Sequence, residues 1–390
     1  MCPPCPSTGS RPTPRREPRR YSAPVAEPLK NQFDRALLER LARRFHDVHP
    51  EFDESRFVDR LAEALPSLEL KDRINRVADE LRAVLPDDYP TALAIVVDAA
   101  DDPEIEGFPA WPLCSFVERH GLDHPAASLT AMESLTRSFS CEFAIRPYLE
   151  HHLEPTREWL RRWTASPDEA VRRLPSEGTR PHLPWGPKVD ALLADPGIGI
   201  ELLELLRHDP SETVRRSVAN HLNDIARNHP DLVVEICTRW QSDPAIEPPM
   251  IRHALRSLVK KGHPGALAVL GFTTSPEVDV SSFSIDPSTL SLGDSVTLTT
   301  TLVSTASTSQ RLVVDFVVHH VGASGTTTPK VFKWTTLDLG PGESVTLRKR
   351  RKIATASTRR YHAGAHRVEL QVAGEARAEG AFELLDSSPR

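Results

Sequence analysis

The sequence predicts two parts, an all-α solenoid of stacked helix pairs followed by an all-β sandwich. The phrase Asp168-Glu-Ala-Val-Arg-Arg173 recurs 43 residues later as Ser211-Glu-Thr-Val-Arg-Arg216, and a weaker copy, Pro248-Pro-Met-Ile-Arg-His253, follows after another 37. Spacings near 40 residues mark two-helix repeats of the HEAT type, which bury their cores only by stacking on their neighbours. Beyond about Thr273 the apolar residues alternate with polar ones, the period of strands. The third observation is a departure from the repeat. The second copy runs on as Ser217-Val-Ala-Asn-His-Leu-Asn-Asp-Ile-Ala-Arg227, a regular helical pattern, whereas the first continues as Leu174-Pro-Ser-Glu-Gly-Thr-Arg-Pro-His-Leu-Pro-Trp-Gly-Pro-Lys188. A repeat broken by prolines that also carries a carboxylate, an indole and cations is the first place to look for a site.

Residues 1–30 are expected to be a disordered tail rich in Pro and Arg. They contain no apolar stretch of the kind a secretory signal needs, which points to a cytoplasmic protein. No apolar run approaches the roughly 20 residues of a membrane span. Five cysteines, Cys2, Cys5, Cys114, Cys141 and Cys237, are too few and too scattered for a disulfide framework. Cys2 and Cys5 have the spacing of a redox or metal pair but no partner cluster.

The helical part is assigned to residues 31–272. Phe33, Leu37, Leu38, Leu41 and Phe45 share one helix face, with Asn31 as the expected N-cap, and Ile74, Val77, Leu81 and Leu85 repeat the pattern. Prolines and glycines then punctuate segments of helical length, leaving room for about six helix pairs. Residues 31–145 carry 12 Lys and Arg against 23 Asp and Glu, whereas residues 146–261 carry 17 of each. A protein that coats nucleic acid would be basic throughout, so any phosphate contact must be local to the Arg-bearing repeats.

Residues 273–390 read as six or seven short strands separated by turns such as Leu339-Gly-Pro-Gly342, the pattern of an immunoglobulin-like sandwich without cysteine. Its densest cationic stretch is Arg348-Lys-Arg-Arg-Lys352, followed by Arg359 and Arg360. Alternate strand residues point to opposite faces, so these cations cannot all face one way. They read either as a charged edge that discourages aggregation or as a clamp on phosphates through Arg348, Arg350 and Arg351.

Three phrases, Phe139-Ser-Cys-Glu-Phe-Ala-Ile-Arg-Pro-Tyr148, Val171-Arg-Arg-Leu-Pro-Ser-Glu-Gly-Thr-Arg-Pro-His-Leu-Pro-Trp185 and Ser217-Val-Ala-Asn-His-Leu-Asn-Asp224, together with the β-part, give a resemblance. The chain resembles the AlkC branch of the AlkC/AlkD family of HEAT-like-repeat DNA alkylation-repair glycosylases, which carries a C-terminal Ig-like domain. The resemblance implies excision of cationic alkylated bases, 3-methyladenine and 3-methylcytosine among them, from double-stranded DNA by a monomeric enzyme that uses neither metal nor organic cofactor. It implies Glu142 and Glu177 as catalytic carboxylates, Trp185 as an aromatic wall, and Asp224 as a third acid. Arg146, Arg173, Arg180 and Lys188 are the DNA contacts expected in the solenoid.

Each residue also has a plainer reading. Glu142 and Arg146 stand i,i+4 and could form a helix-surface ion pair. Trp185 could plug a repeat core, Arg173 and Arg216 could belong to a ladder of repeat cations bonding helix ends, and Asp224 could lie on a polar helix face. Trp159 and Trp163 read as core. His319-His320 and His362-x-x-x-His366 have spacings a metal could use, but no third ligand accompanies them. The competing function is a scaffold that binds protein or DNA without catalysis.

Overall fold

The computed structural model describes residues 28–354 and 360–385. The cysteine pair of the tail and Arg359 lie outside these residues. Fifteen α-helices among the described residues come first, and eight strands follow. The two apolar stripes expected for the first helices are buried, from Phe33 through Leu85. The first cap differs from expectation: Asn31 sits in a 3-10 turn, Leu29–Gln32, and Asp34 caps the helix Arg35–Val48 by accepting from the Leu37 amide at 2.8 Å. A carboxylate three residues before that amide has the reach that Asn31 lacks.

The recurring phrase starts the helices Glu169–Gly178 and Glu212–Ile225, capped by Asp168 and Ser211. Of each Arg pair, it is the first that ties the repeat ends. Arg172 donates to the carbonyls of Ser166 and Pro167 and forms a two-pronged pair with Asp209. Arg215 donates to the carbonyls of Asp209 and Pro210. Arg216, expected in this ladder, is instead exposed and paired only with Glu212 one turn earlier. The reason is periodicity: consecutive residues sit about 100° apart on a helix, so the second Arg points off the ladder face.

The break in the first repeat begins later than the prolines suggest. Pro175 lies inside the helix Glu169–Gly178, and irregular chain runs from Thr179 to the next helix, Asp190–Ala194. A Cβ on Gly178 would come within 2.6 Å of Ile145 Cγ2, so glycine lets this helix end close against the preceding turn.

The strands are β1 (Val278–Asp286), β2 (Thr289–Leu290), β3 (Ser295–Ser304), β4 (Gln310–Val321), β5 (Thr327–Leu339), β6 (Ser344–Lys352), β7 (Gly364–Val372) and β8 (Glu375–Leu384). They form two sheets, ordered β1-β3-β6 and β2-β8-β7-β4-β5, with a core that includes Leu298, Leu302, Val314, Phe316, Leu370 and Phe382. The β7–β8 turn places Ala373 and Gly374 both at positive φ, as a two-residue hairpin of the primed type requires. That turn meets the solenoid backbone to backbone: a Cβ on Gly374 would lie 2.3 Å from the Gly262 Cα.

Candidate active site

The broken repeat and its neighbours assemble a line of alternating charges. Glu142, on the turn that precedes the helix Arg146–His151, accepts from Ser140 Oγ at 2.9 Å and from Arg173 Nη1 at 3.1 Å. The other arm of Arg173 reaches Glu177 Oε2 at 3.4 Å. Glu177 also takes the Ser217 hydroxyl at 2.6 Å and Arg180 Nη1 at 2.5 Å. Arg180 Nε then donates to Asp224 at 2.8 Å. Thus Glu142, Arg173, Glu177, Arg180 and Asp224 form one connected chain drawn from two helices, a turn and the start of the irregular segment. Such burial of charge is tolerable only because each member is paired.

The carboxylates at this line ionise differently. Burial pushes the Glu142 carboxyl up, Arg173 opposes that, and the nearby Glu177 adds to it. For Glu177 burial also pushes upward, but Arg173 and Arg180 outweigh it and hold the group below the usual carboxylate range. Neighbouring acids whose environments push them apart are a familiar preparation for acid–base work.

Beside the charged line opens an aromatic cleft of about 250 Å³, lined by Glu142, Glu177 and Arg180 and by Phe108, Trp111, Phe139, Phe143 and Trp185. Trp111 stacks on Phe139 and Phe143 with ring centroids 5.1 and 5.2 Å apart, and lies parallel to Trp185 at 6.3 Å. Trp185 is 59% exposed, so it stands at the cleft mouth and does not plug a core. Its φ is 66°, uncommon for a residue with a Cβ, and its carbonyl accepts from Lys71 Nζ at 2.7 Å.

Several expectations need correction. Arg146 is only 1% exposed and does not pair with Glu142. Its Nε donates to the Pro187 carbonyl at 2.6 Å and its Nη1 to the Gly178 and Arg180 carbonyls, which fastens the broken segment and removes Arg146 from the DNA contacts. The i,i+4 argument failed because residues 141–145 form a turn, and the helix starts only at Arg146. Arg180, also expected to touch DNA, is buried and joined to Glu177 and Asp224, so its place is the cleft wall. Asp224 is buried on the α-helix Glu212–Ile225 and faces the site. Lys188 is exposed on the irregular segment. Trp163 is core as expected, while Trp159 is partly exposed with the Arg162 guanidinium 3.7 Å above its ring.

In the sandwich, β6 lies at the edge of its sheet, and Arg348, Arg350 and Lys352 point outward from it. Opposite them in register stand Thr299, Thr297 and Ser295 of β3. Arg351 faces the other way, its guanidinium 3.7 Å from the Phe332 ring centre, so it is corrected from a DNA contact to a packing residue. His319 bonds Glu369, and His366 bonds the His362 carbonyl. Among the described residues no three His, Cys, Asp or Glu come together as a metal site, and no helix is long and apolar enough to cross a membrane.

Sequence reasoning assigned no role to Trp111, Phe108, Phe139, Phe143 or Lys71. Phe139 and Phe143 flank Glu142 in one of the telling phrases, and Phe108-Pro-Ala-Trp111 has the same mixture of aromatics and proline as the broken repeat. Aromatics clustered at helix ends, off the apolar stripes, were the available signal.

Residues 137–258 match the family described as DNA alkylation repair enzyme, and residues 279–386 match the C-terminal Ig-like domain of uncharacterised protein YhaZ. YhaZ of Bacillus subtilis (strain 168), described as uncharacterized, is 33% identical over 357 residues, 91% of this chain and 99% of that protein. The alkylpurine DNA glycosylase AlkC of Pseudomonas fluorescens, solved bound to DNA containing an abasic site analog, superimposes with a TM-score of 0.85. It is 36% identical, over 92% of this chain and 100% of the AlkC chain. With the alkylation-repair match in the solenoid, the Ig-like match in the sandwich and this likeness over nearly the whole length, the chain belongs to the AlkC branch of the AlkC/AlkD family of HEAT-like-repeat DNA alkylation-repair glycosylases.

Proposed function

We propose that this protein hydrolyses the glycosidic bond of cationic N-alkylated bases in duplex DNA, with 3-methyladenine and 3-methylcytosine as substrates. The observation that carries the proposal is the line of three carboxylates and two guanidinium groups opening on an aromatic cleft. A base alkylated on a ring nitrogen already carries a positive charge, so its departure needs neither a general acid nor a Lewis acid. The remaining demands are negative charge beside the developing sugar cation and a base for water.

Both demands have a group suited to them. Glu177, held ionised by its two arginines, supplies fixed charge opposite the sugar. Glu142, the more basic of the pair, takes the proton as the water oxygen bonds to the anomeric carbon. The carbon–nitrogen bond breaks, and its electron pair returns to the ring and neutralises the base. Trp185 at the cleft mouth adds a π-face beside the cationic sugar. Asp224 sets the position of Arg180 and through it the charge on Glu177. Arg173 shares its guanidinium between the two carboxylates, and exposed Lys188 is left for the phosphates.

The test is release of free base from methylated duplex under single-turnover conditions. Both 3-methyladenine and 3-methylcytosine should be released, while uracil and 8-oxoguanine should stay in place. Comparable release of an uncharged lesion would overturn the mechanism, because the site would then have to protonate its leaving group. Absence of any release would leave a non-catalytic scaffold.

A further inference from the structure

The solenoid and the sandwich meet along the outward face of β4. Val313 and Ala373 pack on Leu267, with Val259 and Phe272 alongside. Next to this contact lies a cleft of about 140 Å³ that takes its walls from both parts. The helix Pro248–Lys260 contributes Arg252, Arg256 and Lys260, and β5 contributes Lys333. The apolar floor is Val259, Leu270, Phe272 and Val313, and the single acid is Asp315 of β4.

Four cations around one carboxylate make an unbalanced set. Arg256 is partly used, donating to the His253 carbonyl and to Asn220 Oδ1. Among the described residues the side chains of Arg252, Lys260 and Lys333 make no hydrogen bond or ion pair, although Lys260 and Lys333, the latter opposite Asp315 in the β4–β5 register, both pull the Asp315 carboxyl downward. Burial of Asp315, at 2% exposure, outweighs them. Like charges gathered at a cleft with an apolar floor repel one another, and an anion placed among them relieves the repulsion. The cleft has room for a phosphate group.

The position matters as much as the charge. Arg256 bonds Asn220, which lies one helical turn before Asp224 on the same helix, so the cleft continues the solenoid face that carries the candidate site. We infer that this cleft is a phosphate-binding site shared by the two domains, and that it takes a phosphodiester of the duplex backbone away from the lesion. Only the source of the phosphate rests on the reading of the protein as DNA-binding.

The test pairs one residue from each domain in Arg252→Gln with Lys333→Gln, both exposed and outside the candidate active site. Binding of undamaged duplex is followed against salt concentration for the full chain and for this double variant. Because the two cations share one phosphate, the log–log slope should fall by about one unit, and each single variant should account for most of that fall. Excision at saturating enzyme should be unchanged. An unchanged slope overturns the inference, including the case in which inorganic phosphate still raises the melting temperature of the wild type more than that of the variant, since the cleft would then serve a free anion. A lowered slope in a protein that releases no base would sink the glycosylase reading and leave this site standing. Asp315→Asn removes the opposing charge and should tighten duplex binding at low salt; weaker binding would count against the site.

Discussion

Glu142 and Glu177 share Arg173 yet are pushed in opposite directions, one by burial and the other by its two guanidinium neighbours. Replacing either with Gln should lower single-turnover excision by roughly 10² or more, as expected for loss of one preorganised electrostatic group. Near-normal rates in both variants would reject the assignment, and the double variant need not be additive because both carboxylates pair with Arg173. The pH dependence follows from the same environment. A base must be ionised to work, so the rate should fall as pH drops through the Glu142 pKa, at a pH above the ordinary glutamate value of about 4.3. Arg173→Gln removes the cation that opposes the shift, so the acid limb should move to still higher pH. A limb that stays in place, or a rate that falls as pH rises, would show that Glu142 is not the base.

At the scale of single elements, β6 shows how strand geometry divides one run of cations into two jobs. Arg348 and Arg350 point outward beside a row of β3 hydroxyls, while Arg351 packs on Phe332. Neutralising Arg348 and Arg350 together should flatten the salt dependence of DNA binding, by up to about two units if each meets its own phosphate. Arg351→Gln should lower the melting temperature and leave the slope alone; the opposite result would restore Arg351 to the interface. The alternation itself was legible in the sequence, but not which parity faced outward, since that depends on the sheet across the core. Two of the eight strands, β1 and β8, are hard to read from the sequence. In β1 the alternation of Val278, Val280, Phe283 and Ile285 slips at a bulge between Val280 and Ser282, and β8 is rich in Ala and Glu, which are depleted in strands. In the solenoid, the repeat phrase and its broken continuation were plain from spacing alone. The direction of Arg146 was not, because it hinged on whether residues 141–145 form a helix or a turn. The aromatic wall was hidden for the opposite reason, its members coming from separate helix ends that only stacking of the repeats brings together.

At the scale of the whole molecule, the sandwich is fixed to the solenoid by a backbone contact that excludes side chains. Gly262 and Gly374 both have positive φ and approach so closely that a Cβ on Gly374 would overlap the Gly262 Cα. Leu267 and Phe272 would be uncovered if the sandwich were removed, so deleting residues 275–390 would expose apolar surface as well as remove cations. A point change at the joint is the cleaner probe. Gly374→Ala adds a Cβ where φ is positive, at about 1–2 kcal/mol for the backbone alone, and forces the two parts to separate. Gly293 provides the control, for its φ is 105° and a Cβ there would meet nothing within 4 Å. Both variants should lose stability through the backbone term. Only Gly374→Ala should also weaken DNA binding and flatten its salt dependence, because the cations of β5 and β6 would no longer stand at a fixed distance from those of the solenoid. Single-turnover excision at saturating enzyme should persist in both, since the line from Glu142 to Asp224 lies wholly within the repeats. If the two variants bind DNA alike, with the wild-type salt slope, the joint is structural only and the sandwich contributes to binding without being held in register.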